Sequence, residues 1–205
     1  MSKRVQKLAA AAAVAVIAVA AVIAAQAGGA KTATTKVEPA VVDLKGIPED
    51  RGVLGSPRAK VTLTEFVDPQ CPVCAAASEQ VLPALVDDDV RTGKVKLDAR
   101  VLHFLGPDST RAAKYAAAAR EQSRLWPFLE TLYANQGEEH SGWATPRRLD
   151  QIARAAGVVP GQAGLGTADA EARRLGVTGT PTFVLTRDGK QTIVPVGELQ
   201  QELDR

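Results

Sequence analysis

The spacing of apolar and polar residues changes rhythm several times along the chain, and each rhythm predicts an element. Residues 61–67 (VTLTEFV) are rich in β-branched and aromatic side chains and lie between Ser56-Pro57 and Asp68-Pro69, which predicts a central strand. From Cys71 to about Leu85 the spacing is helical, with Ala76, Ala77, Val81 and Leu85 on the buried stripe. Pro72 suits the first helical position, where its missing N–H is no loss, and Pro83 predicts a kink in the last turn. Val95, Leu97, Ala99 and Val101 then alternate with Lys94, Lys96, Asp98 and Arg100, the period-two pattern of a half-exposed strand. Strand, helix and strand in this order form a βαβ unit with a right-handed crossover.

The middle of the chain is helical. An alanine-rich helix is predicted from Asp108 to about Ser123, a second opens near Pro127, and a third starts at Thr145-Pro146 and closes at Gly157. A short fourth helix follows Thr167 and ends at Gly176. Thr182–Thr186 and Gln191–Val196 are β-rich and flank Arg187-Asp188-Gly189-Lys190, a hairpin signal. From Glu198 to the end, Leu199 and Leu203 mark the inner side of a short amphipathic helix. The order is β-α-β, a helical block over about 106–176, then β-β-α, an α/β fold with a helical insertion between its halves.

One stretch follows no amphipathic rhythm. Leu8–Ala25 is eighteen residues of almost only Ala, Val and Ile, preceded by Lys3-Arg4 and Lys7. Its length lies between signal-peptide cores, ~7–15 residues, and spanning helices, ~17–25. Ala25-Gln26-Ala27 before Gly28 also fits a small-x-small cleavage site. Two readings stay open for residues 1–27: a retained single-span anchor with its N-terminus inside, or a cleaved signal peptide. Both place the remainder outside the cytoplasm, since the positive cluster stays inside. Residues 28–55, rich in Gly, Thr and Pro, read as a linker in which Val41-Val42 and Leu44 are candidates for a short strand, and 56–205 read as the folded domain.

Charge narrows the function. The chain has 205 residues, with 25 Lys+Arg against 23 Asp+Glu. Three of the 25 positive residues are Lys3, Arg4 and Lys7, in a segment without acids; the 22 that remain face 23 acids, a net charge of −1. No basic stripe with interleaved aromatics is present, which argues against nucleic acid as a partner. Two cysteines, Cys71 and Cys74, close at most one bridge and exclude a multi-disulfide scaffold.

Two thiols three residues apart on the first turn of a helix lie on the same side and can form a small disulfide. The helix N-terminus directs unsatisfied N–H groups at the first sulfur and favours thiolate, the attacking species in disulfide exchange. Cys71 is then the exposed nucleophile and Cys74 the deeper, resolving thiol. A structural zinc would need four ligands, and His103 and His140 follow no zinc spacing, so no metal is expected. The bridge could also be inert and structural.

Glu65 lies in the apolar strand on the face of Leu63 and Val67. Buried there, it would have a raised pKa and could exchange a proton with Cys74; at an exposed strand end it would only be solvated. Thr180-Pro181, between Gly179 and a strand, suggests a cis bond whose exposed backbone can pair with an extended substrate chain beside Cys71; the alternative is a trans proline that merely starts a strand. His103 and His140 read as a loop residue and a solvated residue, Trp126, Phe128 and Trp143 as helix packing, and Asp87-Asp88-Asp89 as a solvated helix end.

With these residues placed, the chain resembles the DsbA-like thiol-disulfide oxidoreductases of the thioredoxin superfamily, of the exported bacterial type. The resemblance rests on Thr64-Glu65-Phe66 before Cys71-Pro72-Val73-Cys74, on the FLGPDS run at 104–109, on the LYANQ run at 132–136, and on the ARRLGVTGTPTF run at 172–183. It implies a thioredoxin fold with a helical insertion and thiol-disulfide exchange on exported proteins that carry cysteines. It also implies Cys71 as nucleophile, Cys74 as resolving thiol, Pro72 and Val73 as the active-site loop between them, Glu65 as buried acid, and Thr180-Pro181 as the cis-proline loop that binds substrate. No cofactor is implied. Reoxidation of such a donor calls for a membrane quinone-linked partner, and residues 28–55 are too short for the dimerisation domain of an isomerase, so a monomer is expected. Two rivals to a disulfide donor stay open: a reductase or isomerase kept reduced, as in cytochrome maturation, and a membrane-tethered binding module without enzymatic activity.

Overall fold

A computed structural model describes residues 36–205; the apolar run Leu8–Ala25 and the start of the expected linker lie outside the described residues. Strands β1 (Glu49–Asp50), β2 (Val53–Leu54), β3 (Val61–Val67), β4 (Val95–Val101), β5 (Thr182–Arg187) and β6 (Lys190–Val194) form one sheet in the order β1-β2-β4-β3-β5-β6. β3 pairs in parallel with β4 and antiparallel with β5, and β5 and β6 form the predicted hairpin. The crossover from β3 to β4 runs through helix α1 (Pro72–Gln80), helix α2 (Leu82–Leu85) and a π-helical turn, Val86–Val90.

The insertion contains α3 (Pro107–Glu121), α4 (Leu125–Tyr133), α5 (Pro146–Ala155) and α6 (Ala168–Leu175), and the chain closes with α7 (Leu199–Leu203). The caps follow the local chemistry. The Thr145 side chain accepts from Arg148 N at the start of α5, and Gly176, at φ 74°, ends α6 in the left-handed conformation that glycine adopts without steric cost. At α4 the Glu49 carboxylate accepts from Leu125 N at 2.7 Å and from Trp126 N at 3.4 Å, so the cap comes from β1.

The sheet is covered on both faces. On one, Leu63, Val67, Leu97 and Leu185 belong to the main core with Cys74, Trp126, Phe128 and Leu129 of the helices. On the other, Phe66, Leu102 and Val184 pack with Ala172 of α6. This corrects the reading of β4 as half-exposed. Asp98 is buried, because Arg100 and Arg120 neutralise it and α6 lies against the same face.

Three further expectations change. The helix predicted over 71–85 is interrupted at Val81 and resumes at Leu82, since Pro83 cannot donate to the preceding turn. Its buried stripe is Cys74, Ala77, Ser78, Leu82 and Leu85, whereas Ala76 and Val81 are half-buried. The π-helical turn rotates Asp89 inward, so this acid is buried and ion-paired with Lys94 Nζ at 3.0 Å, unlike the exposed Asp87 and Asp88. Within the stretch expected to be linker, residues 41–44 form no strand, yet Val42 and Leu54 are buried in the main core. Val53 and Leu54 pair with Asp98 and Leu97, and the small β1–β2 hairpin thereby covers an edge of β4 that would otherwise be open to another chain.

Candidate functional site

β3 ends at Val67, and the turn Asp68-Pro69-Gln70 delivers Cys71 to the N-cap position of α1. Cys71 N donates to Asp68 O at 3.0 Å, which closes that turn. Both cysteines are free thiols. The Cys74 backbone N–H donates to Cys71 Sγ at 3.3 Å, the helix-start contact expected of a thiolate position. The Thr180–Pro181 bond is cis, and Cys71 Sγ lies 3.2 Å from the Thr180 carbonyl oxygen, to which it donates only when protonated. The loop predicted from the Gly-Thr-Pro-Thr sequence thus lies directly against the first cysteine. It also accounts for one correction: Cys71, expected to be exposed, is only 5% exposed, and the open part of the motif is Pro72 and Val73.

The two thiols differ sharply. Cys71 is held down to about 6, first by the hydrogen bond from the Cys74 thiol, against the opposing effect of burial, with Thr180 and the backbone N–H groups of Cys74 and Val73 assisting. Cys74 is pushed far above the ordinary thiol range, first by burial and then by Cys71 itself. A proton shared between the two sulfurs therefore resides on Cys74, and the thiolate resides on Cys71.

Beneath the thiols are two carboxyls. Glu65 faces the helices, as the alternation of β3 predicts, and burial alone pushes it up to about 7. Glu130 of α4 is more deeply buried and accepts a hydrogen bond from Ser78 Oγ at 2.6 Å. Burial raises it to about 8, with the charge of Glu65 adding and the Ser78 bond opposing. Glu130 has no place among the sequence-derived candidates. Its signal was a single acid inside the otherwise apolar nine-residue helix LWPFLETLY.

A second set of residues braces the loop before Cys71. Asp68 Oδ1 accepts from Gln70 N at 2.8 Å and from Ser109 Oγ at 2.5 Å, and Asp68 Oδ2 accepts from Leu105 N at 3.3 Å. The buried Gln70 side chain donates to Leu105 O at 2.7 Å and accepts from His140 N at 2.8 Å. Gln136 Nε2 donates to Pro69 O at 2.9 Å and Cys71 O at 3.2 Å. The insertion thus clamps the strand-to-helix turn from two sides. In the sequence Asp68 marks only the boundary of a strand.

The remaining candidates are structural. Trp126 Nε1 donates to Gly52 O at 2.9 Å, and Phe128 is fully buried. His103 Nε2 is 2.8 Å from Asp169 Oδ2, and the exposed His140 ring is 2.9 Å from Glu139 Oε1.

Comparison with known proteins agrees with this geometry. The family model described as thioredoxin matches residues 49–204. Disulfide bond formation protein D of Bacillus subtilis is 30% identical over 115 residues, 54% of this chain and 52% of that protein; the chain spans about half the length of the curated relatives it matches. The oxidised crystal structure of BdbD from Bacillus subtilis superposes with a TM-score of 0.61 over 82% of this chain and 97% of that chain, at 23% identity, a likeness of fold. A thioredoxin-like oxidoreductase from Silicibacter pomeroyi is 33% identical, with a TM-score of 0.60 over 75% of this chain and 90% of that chain. With the family model covering most of the chain, the protein belongs to the thioredoxin family.

Proposed function

We propose that the protein is a thiol-disulfide oxidoreductase acting outside the cytoplasm, which donates a Cys71–Cys74 disulfide to exported proteins. The observation that carries this reading is the opposed pair of thiols, with Cys71 held near 6 and Cys74 far above the ordinary range. A substrate thiolate attacks Cys71 Sγ of the disulfide form. The bond between the two protein sulfurs breaks, its electron pair stays on Cys74, and Cys74 takes a proton. A second substrate thiolate then attacks the substrate sulfur of the mixed disulfide and releases Cys71 as thiolate. Two electrons have moved from substrate to protein, and the substrate retains the disulfide.

The low pKa of Cys71 makes it a good leaving group in the second step and stabilises the dithiol product, which raises the reduction potential; the first step expels Cys74, a poor leaving group that needs a proton. Glu65 supplies the proton that Cys74 requires. The backbone at Thr180, beside Pro181 and Cys71, pairs with the extended substrate, and the exposed Pro72 and Val73 contact it. The N-terminal apolar run serves as signal or membrane anchor; among the described residues no helix is long and apolar enough to cross a membrane. A monomer reoxidised by a quinone-linked membrane partner completes this reading.

The test is a Cys74→Ala variant expressed with its export segment. Mixed disulfides between Cys71 and exported proteins are expected to accumulate, and their absence would remove the mechanism. Equilibration of the wild-type protein with glutathione sets the direction: a potential above about −270 mV, the thioredoxin level, supports donation, and one at or below it overturns donation.

A further inference from the structure

Glu65 alone does not account for the acid chemistry beneath the thiols. A proton delivered from a buried carboxyl must be replaced, and Glu65 lies on the inner face of β3, the face that carries the main core. Glu130 is buried near it, close enough for the two charges to repel. Glu130 adjoins the surface. It lines a cleft of about 450 Å³ together with Ser78, Pro72, Ala75, Glu79 and Glu38, beside the cysteine motif. Ser78 Oγ, donating to Glu130 at 2.6 Å, lies on that cleft as well.

The groups around Glu130 are acids, a thiol and hydroxyls. β3 presents Glu65, α1 presents Cys74, Ser78 and Glu79, and α4 itself carries Tyr133. Among the described residues no cation pairs with Glu130 or Glu65, so burial holds both in the protonated form toward neutral pH, as a proton donor requires. Tyr133 lines the same cleft as Glu130 and Ser78. The Tyr133 hydroxyl itself donates to Asp68 O at 3.3 Å, which engages its proton elsewhere.

We propose that Glu130 and Ser78 form the outer half of a proton path for Cys74, running from the thiol through Glu65 and Glu130 to the cleft beside Pro72. The inference rests on the oxidoreductase reading and extends it. When the Cys71–Cys74 bond breaks, the electron pair left on Cys74 Sγ takes a proton from the Glu65 carboxyl. The Glu65 carboxylate takes one from Glu130, and Glu130 recovers its proton from water in the cleft through the Ser78 hydroxyl. Reoxidation by an incoming disulfide reverses the order: Cys74 gives its proton to Glu65, and the proton leaves through Glu130. Glu130 acts through Glu65 and touches no reacting atom.

The experiment is single-turnover reduction of the disulfide form by dithiothreitol across pH, for the wild type and Glu130→Gln. The glutamine keeps an oxygen for Ser78 and removes the titration together with the charge that acts on Glu65. The ratio of variant to wild-type rate is expected to be near unity at about pH 5, where Glu65 already holds a proton. It should fall about tenfold between pH 7 and 8, where the second carboxyl supplies it. Ser78→Ala should show a shallower dip at the same pH. A ratio that is flat with pH, at whatever level, makes Glu130 structural and overturns the inference. Oxidation of a reduced protein substrate, measured alongside, separates the two claims. Substrate oxidised with a flat ratio removes the proton path alone; a dip without substrate oxidation removes the proposed function alone.

Discussion

The two faces of the sheet bury acids under opposite conditions. On the helix-covered face that carries the cysteines, Glu65 and Glu130 meet no cation among the described residues and are pushed up to about 7 and about 8. On the other face, Asp98 is also buried and also raised by burial, but Arg100 and Arg120 both pull it back. Arg100 reaches on to Glu171 of α6 at 2.8 Å, so that network fastens a helix to the sheet. A buried charge without a partner costs several kcal/mol and survives only where the group can stay protonated or where its titration is used. The paired face is organised for cohesion, and the unpaired face retains a cost that the proposed chemistry explains.

The largest expected effect concerns the unpaired face. A carboxyl whose folded pKa lies above its unfolded value binds more protons in the folded state, so stability falls as pH rises between the two values. For Glu65, from 4.5 to about 7, the loss amounts to about 3 kcal/mol across that interval. Glu130 extends the fall toward pH 8, and the mutual repulsion of the pair prevents simple addition. Cys71 opposes this trend in the dithiol form, because its folded pKa is lowered and its contribution grows as pH rises through about 6. Denaturant unfolding should therefore follow the disulfide form, in which neither cysteine titrates. The wild type should lose stability from about pH 5 to pH 8, and a Glu65→Gln, Glu130→Gln double variant should be nearly flat. Equal slopes in the two proteins would erase the contrast between the faces.

The next effect tests the paired face. Arg120→Ala leaves Asp98 buried with one guanidinium instead of two and removes a bond to Ala99 O. Both arginines are about a quarter to a third exposed, so a loss of about 1–3 kcal/mol is expected, below the cost of breaking a fully buried pair. Disulfide exchange with dithiothreitol should be unchanged. If Arg120→Ala slowed exchange and left stability intact, the two faces would have been assigned the wrong way round.

How far the sequence revealed this contrast depended on the range of the interaction concerned. Glu65 was legible because its own strand places it between Leu63 and Val67 on the inner face, and Cys71, Cys74 and the cis bond at Pro181 were legible from local motifs. Asp98 was assigned to the correct strand and the wrong environment, since its burial depends on Arg120, 22 residues away. Asp68 is part of the brace only through Ser109, 41 residues on. β1 and β2 have two residues each, too few to display a period, and they exist because the β4 edge was available. Glu130 had a local signal, an acid in an apolar helix, but its significance required Ser78 and Glu65 as neighbours.

The smallest expected effect distinguishes cohesion within the paired face from fastening at its rim. Glu171→Gln removes the ion pair to Arg100 but leaves Arg100 bound to Asp98, so no buried charge is orphaned. Both partners are about a quarter exposed, and the expected loss is about 0.5–1 kcal/mol, diminishing as salt is added. Because α6 precedes the Thr180 loop directly, amide hydrogen exchange is the more informative measurement. Faster exchange confined to α6 would mean that Glu171 fastens this helix only locally. Faster exchange extending through Val177–Pro181 would mean that the network also supports the loop that touches Cys71, and the division between a cohesive face and a chemical face would have to be redrawn at α6.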